Sequence, residues 1–115
     1  RSEQQFDNPS VGQNRILQVS QGFAYTWDNA KPKGEKVDAS SIKLNGTTLS
    51  PTTAYRVTVN NFLADGGDAF SSLKEGTNRL GGGQDIDALS AYLKAQGDAG
   101  MSVQPGAANR ITRVN

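Results

Sequence analysis

The chain has 115 residues, 35% of them hydrophobic, which is enough for one domain with a modest core. Twelve Lys and Arg stand against 11 Asp and Glu for a net charge of +1, a balance that argues against broad binding to nucleic acid or anionic membrane. Without cysteine there are no disulfides, thiolate metal sites or cysteine nucleophile, and without histidine the chain lacks the imidazole that metal-dependent phosphomonoester hydrolysis generally uses.

Ser2 to Phe6 reads as the tail of a helix, followed by a loop over Asn8-Pro9-Ser10 and Gly12. Strands are predicted at Ile16 to Val19, Phe23 to Trp27, around Ile42 to Leu44, Tyr55 to Val59, and Ile111 to Val114. In the second of these Phe23, Tyr25 and Trp27 share one face. Asn29 to Lys36, with Pro32 and Gly34, reads as a solvated turn, and Asn45-Gly46 is a hairpin signal because both residues tolerate positive φ. Tyr55, Val57 and Val59 alternate with Arg56, Thr58 and Asn60, the period of a strand with one buried face. The ten residues Asn61 to Phe70 then form a strand-to-helix loop carrying an aromatic ring and carboxylates. Asp68 stands where a helix N-cap would stand, with Phe70, Leu73 and Lys74 following at helical spacing. Gly66-Gly67 allows positive φ or close approach of a ligand to the backbone. A last helix is predicted from Gln84 or Asp85 to Gln96, with Ile86, Leu89 and Leu93 as its buried stripe and Gly97 as its stop. No stretch is apolar for the length of a membrane span. These patterns predict an α/β (α+β) fold, a mixed sheet with hairpins and two or three helices, in a single domain over residues 1–115.

On residue type alone Phe62 is a core phenylalanine at the end of a strand, since large apolar side chains are usually buried. Phe70 has the same reading. Asp85 and Asp87 lack the companion ligands of a cation loop, and acidic residues favoured by a helix N-terminus explain them better. Gly81-Gly82-Gly83 lacks the Lys-Ser/Thr ending of a phosphate-binding loop and reads as a connector. Arg15, Arg56, Arg79 and Arg110 are scattered and are assigned to solvated surface.

Five segments carry a wider likeness. They are Arg15-Ile16-Leu17-Gln18-Val19-Ser20 with Gly22-Phe23-Ala24-Tyr25-Thr26-Trp27-Asp28; Ser41 to Gly46 through Tyr55-Arg56-Val57; Asn61-Phe62-Leu63-Ala64-Asp65-Gly66-Gly67-Asp68; Gly83-Gln84-Asp85-Ile86-Asp87; and Arg110-Ile111. Together, from about Gln4 to Val114, they resemble the C-terminal domain of the 5'-nucleotidase family, which includes ecto-5'-nucleotidases and bacterial UDP-sugar hydrolases. The resemblance implies that Phe62 stacks on a nucleobase. It implies that Asp68 accepts hydrogen bonds from ribose hydroxyls, and that Asn61, Gly66 and Gly67 shape the loop between them. Phe70 keeps its core reading.

The family holds two divalent metal ions and its catalytic histidine in a separate N-terminal metallophosphatase domain, which nothing in this chain matches. The resemblance thus assigns no catalytic residue, metal ligand or cofactor to these 115 residues, and the chain alone is expected to be inactive. The family's glycine-rich, arginine-ending substrate loop and its other stacking aromatic lie upstream of the matching region, so the expected object is the C-terminal part of that domain. The parent is expected to be a secreted, periplasmic or cell-surface phosphohydrolase acting on a nucleotide or nucleotide sugar. The alternative is a noncatalytic binding or cell-surface module that kept the scaffold without the chemistry.

Overall fold

The computed structural model describes residues 2–115. They fall into two compact units: one built from the chain up to Glu75 together with Ala108–Asn115, the other from Gly76–Ala107.

The first unit is organised on β1, Phe23–Asp28, which pairs antiparallel with β2, Lys43–Leu44, and in parallel with β4, Ile111–Val114. A short β3, Thr47–Thr48, completes a four-stranded mixed sheet in the order β3-β2-β1-β4. The turn between β2 and β3 is Asn45-Gly46 with φ of 51° and 82°, the pair of positive values a two-residue hairpin needs to match strand twist. Alternation along β1 works as read: Tyr25 and Trp27 are buried and pack with Phe6 into the core, and Phe23 packs against that cluster. The Phe6 and Trp27 rings lie 4.7 Å apart at 33°, while Ile16, Val19, Val37, Ile42 and Ile111 close round them. Arg113 lies over the Trp27 ring, its guanidinium 5.6 Å from the centroid, within cation–π range.

The expected helix tail at Ser2 to Phe6 is a single 3₁₀ turn, Ser2–Gln5, and it acts as a polar hub. The Glu3 carboxylate accepts the Val37 and Gly34 amides. Gln5 is buried; its Nε2 donates to the Tyr25 hydroxyl at 2.8 Å and its Oε1 accepts the Leu17 amide at 3.0 Å. Burial pushes the Tyr25 hydroxyl above its ordinary pKa, with the Gln5 hydrogen bond acting in the other direction.

Two predicted strands join no ladder among the described residues. Ile16 to Val19 delivers Ile16 and Val19 to the core as its apolar pattern implies, but its polar partners are not another strand. The Gln5 side chain takes the Leu17 amide and Arg110 Nη1 donates to the Val19 carbonyl. Tyr55 to Val59 has no neighbouring strand among the described residues, and the buried face that its alternation predicts does not form: Tyr55 is exposed, Val57 is 71% exposed and Val59 is half-buried. The turn over Asn29 to Lys36 is solvated from Ala30 to Glu35 as expected, but Lys36 at its end is buried, and its Nζ donates to the Asn29 and Lys31 carbonyls. Beside it Asp28 is held below the usual carboxylate range, chiefly by the Ala30 amide. Asp38 is lowered likewise, chiefly by the Ser40 hydroxyl.

In the second unit α2, Asp85–Asp98, starts where predicted but runs through Gly97. Its stop is Gly100, at φ 72°, with Met101 N donating to Gln96 O and Gly100 N to Gly97 O, the paired bonds of a Schellman cap. Gly97 is not the left-handed residue of that cap, since its φ is not positive, and it contributes only the carbonyl that accepts the Gly100 amide. Asp85 and Asp87 occupy the first turn, where the helix dipole favours negative charge. Ile86, Leu89 and Leu93 do share a face, yet they are exposed rather than buried, Leu89 at 53%. No helix among the described residues is long and apolar enough to cross a membrane.

Candidate functional site

The run from Asn61 to Phe70 is more structured than a loop. Asn60 sits in extended backbone and its Oδ1 accepts the Leu63 amide at 2.9 Å, capping α1, Asn61–Ala64. The sequence reading missed this cap, although asparagine just before a helical turn is a recognised signal for one. Asn61 points its Oδ1 back to the Phe62 amide at 3.0 Å. Gly66, at φ 86°, ends the turn in the left-handed region, where a side chain would be strained and a Cβ would sit 2.7 Å from Lys74 Cδ.

Gly67 is required for a different reason. A Cβ there would lie 2.5 to 2.7 Å from Cε1, Cζ and Cδ1 of Phe62, so the phenylalanine ring rests edge-on against bare backbone. Phe62 is 56% exposed, which corrects the core reading from residue type, and the buried phenylalanine of this segment is Phe70, at 4%. The ring of Phe62 thus rests on a glycine while more than half of the residue stays exposed.

Asp68 is not a helix cap. It lies inside a 3₁₀ turn, Gly67–Ala69, in left-handed backbone (φ 53°, ψ 32°), and Ala69 follows with φ 63°. An aspartate tolerates this region, whereas alanine does so at a cost of roughly 1–2 kcal/mol. The carboxylate of Asp68 accepts no amide of the next turn, Ser71–Glu75, among the described residues. That turn takes its cap from a distant residue: Gln4 Oε1 accepts the Ser72 amide at 2.9 Å as well as the Ser72 hydroxyl. The Asp68 carboxylate, about half exposed, instead accepts Nη1 of Arg15 at 3.1 Å, and its carbonyl accepts Nδ2 of buried Asn8 at 2.7 Å. Arg15 lies at the surface as expected, its side chain 41% exposed, but it is paired there, and nothing in its local sequence signals a partner 53 residues away.

A cavity of about 300 Å³ opens beside this pair, lined by Gln4, Asn8, Arg15, Lys33 and Ala69 among others. Among the described residues no group of three or more Asp, Glu, His or Cys could hold a metal ion. What the turn offers is a solvent-facing aromatic ring and, six residues on, a carboxylate with acceptor capacity to spare.

Residues 3–75 match the 5'-nucleotidase, C-terminal domain family, a span that covers Asn61, Phe62, Gly66, Gly67 and Asp68 as well as Asn8 and Arg15. The mixed sheet with its helical turns agrees, and the chain belongs to that family. It is 42% identical over 80 residues to an apyrase of Anopheles gambiae, covering 67% of this chain and 14% of the relative. It is 37% identical over 76 residues to endonuclease YhcR of Bacillus subtilis, covering 64% of this chain and 6% of the relative. With cell wall protein Lmo0130 of Listeria monocytogenes it shares 32% identity over 92 residues, 79% of this chain and 12% of the relative. The chain thus spans a small fraction of the length of each protein it matches.

Proposed function

We propose that the chain supplies the nucleoside-recognition surface of a 5'-nucleotidase-like phosphohydrolase, Phe62 stacking on the base and Asp68 holding the ribose hydroxyls. The observation that carries this reading is the pairing, on one turn, of an open ring braced by Gly67 with an exposed carboxylate. Stacking is tolerant of base identity because every base has a π-face, and a carboxylate accepts two hydroxyl donors at once. Asn61 and Gly66 shape the turn that presents both groups.

One aromatic wall is worth about 1–3 kcal/mol of stacking, against an association cost of roughly 4–15 kcal/mol. The chain by itself is therefore a weak binder, and the rest of the grip comes from elsewhere in a longer protein. In that parent a metallophosphatase domain holds two divalent metal ions and performs the attack on phosphate, with a nucleotide or nucleotide sugar as substrate. The relative named apyrase favours a nucleotide, and the relative named as a cell wall protein favours a surface or extracellular location. That last relative also favours the second reading, a noncatalytic surface module on the same scaffold. A metallophosphatase domain in the full-length polypeptide decides for the enzyme; its absence decides for the module.

The test uses the full-length protein. Phe62→Ala lowers kcat/KM for ribonucleotides through lost stacking, and Asp68→Asn impairs ribonucleotides more than their 2',3'-dideoxy analogues. If both variants stay folded and turn over ribonucleotides with unchanged kcat/KM, the turn is structural and the reading fails.

A further inference from the structure

Three features outside the proposed contacts converge on Asp68. Its carboxylate Oδ1 is engaged by Arg15 Nη1 at 3.1 Å, and its carbonyl is held by Asn8 Nδ2 at 2.7 Å. Asn8 is itself buried, anchored by a second Nδ2 bond to the Gln4 carbonyl, and its Oδ1 accepts from the same Arg15 Nη1 at 3.4 Å. The two residues that follow the glycine pair, Asp68 and Ala69, both occupy left-handed backbone, a conformation that persists only where the surroundings enforce it. Asn8 and Arg15, from the first 15 residues, add to the turn's own bond from the Phe70 amide to the Gly67 carbonyl in holding it.

We infer that Arg15 is a positioning residue for the Asp68 carboxylate, its guanidinium fixing one oxygen so that the other faces the sugar hydroxyls of a bound nucleoside, with Asn8 locking the backbone beneath. Oδ2 of Asp68 takes no hydrogen bond among the described residues, so the ion pair leaves one oxygen for ligand. Without the guanidinium a half-exposed aspartate samples several χ1 and χ2 wells, and a donor pair on the ribose meets the productive one only part of the time. Arg15 touches no ligand in this account. It acts through Asp68, and the inference rests on the nucleoside reading above.

The experiment compares ribonucleoside 5'-monophosphates with their 2',3'-dideoxy analogues as substrates of the full-length protein, taking the ratio of kcat/KM values as readout. Asp68→Asn collapses that ratio. Arg15→Gln lowers it roughly three- to tenfold through KM with kcat held, the scale of a weakened charge-assisted hydrogen bond, and leaves the dideoxy substrates unaffected. Arg15→Lys restores part of the loss, and adding Arg15→Gln to Asp68→Asn changes nothing more, as expected of two residues acting as a unit. Because Arg15 is partly exposed, its variants are expected to melt with the wild type, which a thermal scan checks. If Arg15→Gln leaves the ratio intact while Asp68→Asn collapses it, or slows ribo and dideoxy substrates equally, the positioning role is wrong and the nucleoside reading stands. If neither Asp68→Asn nor Phe62→Ala has any effect, both fall together.

Discussion

In the unit that runs to Glu75, Gln4 bonds Ser71 and Ser72, Asn8 bonds Asp68, and Glu3 bonds Gly34 and Val37. In Gly76–Ala107 the helix Asp85–Asp98 and its cap close on residues no more than five apart. The first unit buries Phe6, Tyr25 and Trp27 in a core, while the helix of the second carries an exposed apolar stripe. The contrast teaches where stability resides. A 14-residue helix is marginal in water by its own hydrogen bonds, whereas a small domain with long-range polar ties and an aromatic core stands or falls as a unit.

The largest effect that would break this comparison is loss of Phe6, the most fully buried large side chain of the first unit. Phe6→Ala is expected to cost about 3–5 kcal/mol in a urea titration followed by Trp27 fluorescence, a large share of what a domain this size possesses. A loss below about 1 kcal/mol would show that the cluster round Trp27 is not the cooperative core.

Next comes the buried amide. Gln5→Ala leaves the Tyr25 hydroxyl and the Leu17 amide without their partner and is expected to cost roughly 1–3 kcal/mol. Tyr25 sharpens the point through pH. Its folded pKa is raised above the ordinary value of 10.0, so its contribution is fully present below that value and is lost as pH rises through the folded pKa. Wild-type stability should therefore fall on going above pH 10, and Tyr25→Phe should flatten that limb while leaving neutral-pH fluorescence of Trp27 in place.

Gly67→Ala tests the proposed site without touching its polar groups. The new Cβ displaces the Phe62 ring at a cost of about 1–3 kcal/mol, read as a drop in melting temperature together with changed ring proton shifts for Phe62. Unshifted Phe62 resonances would mean that the ring does not rest on the Gly67 backbone.

The smallest effect belongs to the second unit. Leu89→Ala, on the exposed stripe of α2, is expected to change stability by no more than about 0.5 kcal/mol, against several for Phe6→Ala. A cost of 2 kcal/mol or more, on the scale of a large-to-small core substitution, would mean that the stripe is covered in solution and that the contrast between the units is false.

The sequence by itself was sufficient wherever the decisive contact is local or periodic. Alternation fixed the buried face of β1, Asn45-Gly46 fixed the hairpin, and acidic residues marked the start of α2, because each depends on the steric and dipolar preferences of a few adjacent residues. The motif Asn61 to Asp68 likewise sufficed to point to the family to which residues 3–75 belong.

Tertiary structure decided the rest. Two phenylalanines eight residues apart read alike by residue type, the family resemblance alone set them apart, and in the fold Phe70 is inside and Phe62 outside. Asp68 has the sequence position of a cap, yet Asn8 and Arg15 hold it in left-handed backbone as one half of an ion pair. Ile16 to Val19 and Tyr55 to Val59 both have strand-like patterns, but a ladder needs a partner strand. The first segment finds the Gln5 amide and the Arg110 guanidinium in place of one, and the second finds no strand among the described residues. Periodicity reports which face of a segment prefers burial. What pairs with its backbone, and which of two equal side chains is enclosed, depends on residues dozens of positions away, and no local pattern encodes them.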